Sequence, residues 1–214
     1  MSNFEYIVSG LPVLTSDYKY APGESFRDTV EEIRNLLSAK DAATLDFLLK
    51  GFDSESLNED FYASALSSAN QFIREYFRFD LNLRNAKVRY INRQLGRPEE
   101  MDVITGKGAE DAPGLDADGY RFTGGEFEEA DKAASVLALT DLLSREKGLD
   151  DIFWDKIDAL QVFHYFDLTS VLCFVAKLHI VDRWLTLDYE KGKQMFRKLT
   201  DEVRGTFKGV NYTE

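Results

Sequence analysis

The sequence predicts an all-α protein, a multi-helix bundle of about eight helices. Apolar residues recur at helical spacing along most of the chain, and no convincing pair of strands appears. Ser, Asp and Gly, which are typical of helix ends, separate these periodic segments. The most hydrophobic long segment lies in the middle of 157–207, where apolar side chains cover most of a helical circumference. We therefore expect one central, buried helix with the other helices around it.

Composition and charge narrow the classes of function. The net charge of −12 makes nucleic acid a poor partner for the surface as a whole. Charged residues, among them Lys177 and Arg183, interrupt the hydrophobic segment, so it is not expected to span a membrane. The single cysteine, Cys173, lies on the apolar stripe and is interpreted as a small buried hydrophobe. The N-terminus lacks the pattern of a signal peptide, and we expect a cytoplasmic protein.

The first helices carry clear N-terminal signals. The segment from Phe4 to Val8 fits either an extended strand or a helical turn. Ser25 is a predicted N-cap for the next helix, and Ser38, with Asp41 three residues later, is a second one. The helix that follows Ser38 is expected to stop near Gly51.

Two further helices are predicted before a long loop. One runs from about Asn58 to Phe77, and Asp80 is predicted to cap the next, which ends before Gly96. From Pro98 onwards, glycines and aspartates replace the periodic pattern as far as Gly125. Loops of this length are uncommon and often functional or mobile.

The C-terminal part repeats the helical pattern. We predict a helix over about 126–147, closed by Gly148, and another over about 150–166. Asp167 is predicted to cap the central helix, and Asp188 the last one. The chain is expected to form a single all-α unit, with an N-terminal lobe over about 1–96, a mobile loop over 97–125 and a C-terminal lobe over 126–214. An echo between two Phe-Asp-Leu segments, 76–81 and 163–168, indicates either that the lobes are related or only that aspartate often caps helices.

No motif predicts a catalytic residue, a metal site or a cofactor. The aspartate-rich loop lacks the acids that an EF-hand needs at its first and twelfth positions, which are Gly114 and Gly125. His164 and His179 have no metal-ligand spacing around them and are interpreted as satisfied, half-buried histidines. The sequence therefore predicts a protein that is not an enzyme.

One predicted helix is basic within this acidic chain. It carries five cations, and two interpretations stay open: they pair with acids on neighbouring helices, or they form a docking face for an acidic partner. These candidate partner-binding residues are Arg84, Lys87, Arg89, Arg93 and Arg97.

The stretch YFRFDLNLRNAKVRYINRQLG, 76–96, resembles a recurring signature of the C subunit of V/A-type ATPases, which is similar to the eukaryotic V-ATPase d subunit. The stretch FDLTSVLCFVAKLHIVDRW with the following LDYEKG, and the opening FEYIVSGLPVL, resemble a small bacterial family of unknown function found with V-type ATPase genes. The C subunit has three repeated helical units, whereas this chain has room for about two. The glutamate expected near Leu178–Ile180 is replaced, with His179 the ionisable group there.

The resemblance implies a non-catalytic C-like or accessory subunit that helps couple the central stalk to the membrane rotor. Its expected partners are the stalk and rotor-ring subunits, and protein contacts alone would hold it at the inner membrane. The alternative is a cytoplasmic helical enzyme or ligand-binding protein that uses the loop over 98–125 as a lid.

Overall fold

The structure, a computed structural model, describes residues 2–18, 25–104 and 127–186. Within these ranges it is all-α, as the apolar periodicity predicts. Eight α-helices are present there: α1 (Phe4–Gly10), α2 (Phe26–Leu36), α3 (Ala39–Lys50), α4 (Glu59–Leu66), α5 (Gln71–Gln94), α6 (Ala130–Leu137), α7 (Leu142–Gln161) and α8 (Leu168–Thr186). None of them is long and apolar enough to cross a membrane. The helix predicted to follow Asp188 and most of the predicted loop lie outside the described residues.

The N-terminal caps of α2 and α3 confirm their prediction. The Ser25 hydroxyl accepts the backbone N–H of Asp28, and the Ser38 hydroxyl accepts that of Asp41. Each cap satisfies a donor that the first turn of a helix would otherwise leave unpaired. The ambiguous segment after Asn3 is helical, because the Asn3 side chain accepts the N–H of Tyr6.

The central helix is α8. It packs against α1, α2, α3 and α7, and most of its side chains are buried on several sides. Its buried residues include Val171, Leu172 and Val175, each with no exposed surface. They belong to one core cluster that also holds side chains of α1 to α5 and α7. Residues on both sides of the long loop therefore share this core.

The boundary predicted at Asp80 is wrong. The helix expected over 58–77 is two helices, because Asn70 caps α5 by accepting the N–H of Ile73. From there α5 continues for 24 residues, with Asp80 in its interior. An aspartate fits there because its carboxylate accepts the hydroxyl of Tyr62 on α4.

The boundary predicted at Gly148 is also wrong, as are those of the neighbouring helices. The segment over 126–147 holds α6, a turn and the start of α7, which Asp141 caps by accepting the N–H of Ser144. Gly148 lies inside α7, where a Cβ would come within 2.8 Å of Cγ1 of Val136 on α6. The glycine therefore permits the close approach of two helices and does not end one.

The sequence echo does not correspond to a repeated structure. Residues 76–81 lie within α5, whereas residues 163–168 form the turn between α7 and α8 and the start of α8. The echo thus gives no structural support for two related lobes, which stay a prediction.

Candidate functional site

A cleft with charged walls lies where α5, α7, α8 and the segment after α3 meet. Its volume is about 200 Å³. On α5 the spacing of four and then three residues puts three charged side chains on one helical face. The charged and aromatic lining consists of Asp80, Arg84 and Lys87 from α5, Glu146, Asp150 and Phe153 from α7, His179 and Arg183 from α8, and Phe52 and Tyr76.

Asp80 forms the α5 wall of this cleft. Tyr62, whose side chain is almost fully buried, donates its hydroxyl to Oδ2 of Asp80 at 2.5 Å. Burial raises the pKa of the Asp80 carboxyl above its usual value, although the Tyr62 hydrogen bond and the nearby Arg84 oppose this shift. Burial, together with the Asp80 charge, raises the pKa of the Tyr62 phenol as well. The pair thus anchors α4 on α5.

Asp150 forms the opposite wall on α7. Its carboxylate accepts hydrogen bonds from the Arg183 guanidinium and from Nε1 of Trp184, the latter at 2.6 Å. The residue is 6% exposed, and burial raises its pKa while Arg183 acts in the other direction. The sequence predicted a helix that begins at about 150, but α7 begins at Leu142, so Asp150 and Asp151 lie in its interior. The Asp150 contacts instead join α7 to the C-terminal turn of α8.

His179 closes the cleft from α8. Its ring stacks on that of Phe52, with centroids 4.1 Å apart and planes nearly parallel. Burial, with a smaller contribution from Arg183, lowers the pKa of His179 to about 4. The ring is therefore neutral at physiological pH, where it can donate one hydrogen bond and accept another.

Charged side chains of both signs and aromatic rings line this cleft. The described residues contain no group of three or more His, Cys, Asp or Glu side chains placed to hold a metal ion. Asp80 and Asp150 are each held by hydrogen bonds to other side chains. A small polar ligand could meet fixed charges of both signs between aromatic walls.

The cations predicted on the basic helix divide into two groups. Arg84 and Lys87 line the cleft. Arg89 forms two hydrogen bonds with Glu100, from Nε to Oε1 at 2.8 Å and from Nη2 to Oε2 at 2.9 Å. Arg93 pairs with Glu99 at 3.3 Å, and both side chains are about half exposed. Arg89 and Arg93 thus pair with acids of the same chain, but these acids lie in the turn after α5 and not on neighbouring helices, as one of the two interpretations expected.

Arg97 lies beyond the end of α5 and is exposed. The five cations therefore do not form one continuous face. The docking face for an acidic partner stays a prediction, and its exposed members would be Arg93 and Arg97.

The turn between α7 and α8 is a second candidate site. Asp167 precedes α8 and accepts the backbone N–H of Ser170 at 3.0 Å, which is the geometry of an N-cap. Its other oxygen lies 2.5 Å from Nδ1 of His164, and the Ser170 hydroxyl donates to the His164 carbonyl at 2.7 Å. This network fixes a turn in which Phe163 has a φ of +68°.

The fixed turn presents its large apolar side chains to solvent. Phe163 is 83% exposed and Tyr165 is 70% exposed. Four such residues stand within five positions, and we call them the aromatic turn: Val162, Phe163, Tyr165 and Phe166. A cluster of exposed aromatic residues on a rigid support is typical of a protein interaction site.

Comparison with known proteins gives a family. A family model with the description "Protein of unknown function (DUF2764)" matches residues 53–206, which is more than two thirds of the chain. The chain belongs to this family. The match extends from the segment after α3 beyond the end of α8, so it includes the aromatic turn and all of the cleft lining except Gly51 and Phe52. Neither the curated proteins nor the solved structures contain a significant match.

Sequence reasoning missed the cleft. One signal was available, because the spacing of Asp80, Arg84 and Lys87 puts both signs of charge on one face of a helix. The opposite walls come from residues 146–150 and 179–183, and nothing local in the sequence indicates that these segments meet α5.

Proposed function

We propose that this protein is a non-catalytic, C-like or accessory subunit of a V/A-type ATPase that helps couple the central stalk to the membrane rotor. The resemblance of the stretch 76–96 to a C-subunit signature supports the proposal. This stretch begins at Tyr76, near the N-terminal end of α5, and ends just after that helix. A subunit of this kind needs a rigid helical body and an exposed surface for its partners.

The aromatic turn is the observation that carries the proposal. Its backbone is fixed by Asp167, His164 and Ser170, so ordering costs little further entropy on binding. A left-handed φ at a non-glycine residue such as Phe163 costs on the order of 1 kcal/mol. A surface that retains this strain and exposes three aromatic rings is expected to bury them in a partner.

Charge favours a protein partner over a lipid surface. The chain has a net charge of −12, and Asp158 and Asp167 flank the aromatic turn. Anionic lipid attracts clusters of Lys and Arg, and this turn has none. Attachment at the inner membrane would therefore run through the stalk and rotor-ring subunits alone.

Co-purification from native membranes tests the proposal. A tagged wild-type chain is expected to recover stalk or rotor-ring subunits. The double variant Phe163→Gly/Tyr165→Ser removes two rings and the unfavourable φ, so it should melt no lower than the wild type and lose these subunits. The matched control, Leu142→Ser/Leu143→Ser, alters two exposed leucines at the other end of α7 and should recover them. Recovery by the turn variant at the wild-type level would contradict the proposal.

The polar cleft favours a second candidate, a ligand-binding protein or helical enzyme. The lid suggested for that function, 98–125, lies outside the described residues from 105 onwards. A small metabolite that raises the Tm of the wild type but not of Lys87→Gln would support this alternative. Lys40→Gln, an exposed control on α3, should keep the rise in Tm with the metabolite, and loss of this rise would contradict the alternative.

A further inference from the structure

A groove with a different set of lining residues from the polar cleft runs between α1 and α2. Its volume is about 890 Å³, within the range of about 300–1,000 Å³ that is usual for binding pockets. The lining is mainly apolar, and Tyr6 and Leu36 at its rim are 67% and 46% exposed. The apolar lining residues are Tyr6, Ile7, Leu11, Pro12, Ile33 and Leu36.

The groove contains an unpartnered buried hydroxyl. Thr29 on α2 lines it and is 8% exposed. Its Oγ1 has no hydrogen-bond partner among the residues that the structure describes. A buried polar atom without a partner costs about 1–3 kcal/mol, so such atoms are rare and call for a reason. A bound group that hydrogen-bonds to Thr29 would supply the missing contact.

The charged residues around the groove indicate which charge a binding partner should carry. Glu32 is the only charged residue among the described lining residues, and it is exposed. Three further acids, Glu5, Asp28 and Glu31, and one cation, Arg27, are exposed nearby in sequence, so acids are in excess there. Arg34 on α2 is engaged with Asp46 at 2.8 Å. An anionic lipid or a fatty acid would meet repulsion here, whereas a cationic side chain would meet attraction.

The shape of the groove fits a helix. Its two walls are helices, and α2, with 11 residues, is about 16 Å long. A third helix of similar length could place an apolar face between them, as in the recognition of amphipathic helices by grooves.

We infer that the α1–α2 groove binds a basic amphipathic helix of a partner protein. The apolar face of that helix packs on Tyr6 and Leu36. A polar side chain at the centre of this face hydrogen-bonds to Thr29, and a Lys or Arg at its edge pairs with Glu32. This interface is separate from the aromatic turn and does not depend on the proposed ATPase function.

Model peptides test the inference by fluorescence anisotropy with the full chain. The main probe is a fluorescein-labelled helix of about four turns, made of Leu and Lys at amphipathic spacing with one Gln at the centre of its apolar face. Three reference peptides isolate its features: Leu in place of the central Gln, Glu in place of every Lys, and a permuted order with no apolar face. The wild type should bind the main probe tightest, and added salt should weaken this binding.

Groove variants should alter binding in distinct ways. Leu36→Gln should weaken the main probe by about tenfold, whereas Leu143→Gln, an equally exposed control on α7, should leave binding unchanged. Glu32→Gln should reduce the dependence on salt. Thr29→Val removes the unpartnered hydroxyl, so it should raise the Tm and reverse the preference between the Gln and Leu peptides.

Three results would overturn the inference. One is equal binding of the Lys and Glu peptides by the wild type. Another is an equal effect of Leu36→Gln and Leu143→Gln. The third is a lower Tm for Thr29→Val, which would show that the hydroxyl is already satisfied in the free protein.

Discussion

The hydrogen bond between Tyr62 and Asp80 should contribute substantially to the free energy of unfolding, because it joins α4 to α5. Tyr62 is 1% exposed and donates to Oδ2 of Asp80 at 2.5 Å. Tyr62→Phe removes the donor and leaves the carboxylate partly buried. Hydrogen bonds to charged groups contribute about 1.5–3 kcal/mol, so we expect the free energy of unfolding at pH 7 to fall by roughly 2 kcal/mol.

Asp80→Asn should lower the free energy of unfolding less than Tyr62→Phe does, or should raise it. Burial raises the folded-state pKa of Asp80 above its unfolded value, so the folded protein binds more protons between these two values. The contribution of Asp80 to the free energy of unfolding therefore decreases as the pH rises from its unfolded-state pKa through its folded-state pKa. Burial makes the charged form of the Asp80 carboxyl unfavourable, whereas Asn is uncharged and still accepts the Tyr62 hydroxyl. Asp80→Asn should therefore change the free energy of unfolding at pH 7 little, or raise it. Asp80→Ala removes the acceptor of the Tyr62 hydroxyl and should lower the free energy of unfolding by about 1–3 kcal/mol.

Urea denaturation followed by circular dichroism measures these differences, with Tyr165→Phe as the control. Tyr165 is 70% exposed, and its variant should stay within about 0.5 kcal/mol of the wild type. The double variant Tyr62→Phe/Asp80→Asn supplies the coupling energy. A Tyr62→Phe variant as stable as this control would refute the reasoning.

Three further predictions concern buried groups. Gly148→Ala should lower the free energy of unfolding by about 1–2 kcal/mol in urea melts, because the new Cβ would overlap Val136. A second substitution, Val136→Ala, should relieve this loss. A higher free energy of unfolding for Gly148→Ala would show that α6 can move away. His179 should titrate with a midpoint near 4 when followed by NMR. Because its folded pKa lies below the unfolded value, its contribution to the free energy of unfolding should decrease as the pH falls from about 6.5. A midpoint above 6 would contradict its burial. Burial raises the pKa of the Cys173 thiol to about 12, so thiol reagents at pH 8 should label it only as the protein unfolds; rapid labelling would contradict the packing of α8.

Local signals in the sequence were sufficient for several elements. Ser25 and Ser38 cap helices because each serine side chain reaches a backbone N–H three residues later. The central position of α8 followed from apolar residues on most of its circumference. These features depend on neighbours within a few residues, so one sequence is enough to predict them.

The errors occurred where distant contacts override local preference. Asp80 resembles an N-cap in sequence, but the hydroxyl of Tyr62, eighteen residues earlier, satisfies it inside a helix. Gly148 resembles a helix end, but it is required by the close approach of Val136 on another helix. The polar cleft depends on three helices meeting, so its walls could not be recognised from spacing alone.

Site-specific photo-crosslinking from position 165 tests the proposed function most directly. A photoreactive residue replaces Tyr165 in the native organism, and in the control it replaces Leu143, which is exposed at the N-terminal end of α7. The account predicts a crosslink from position 165 to a stalk or rotor-ring subunit of the ATPase, and none to these subunits from position 143. An aromatic turn that crosslinks to no ATPase subunit in membranes where the assembled ATPase is present would contradict it.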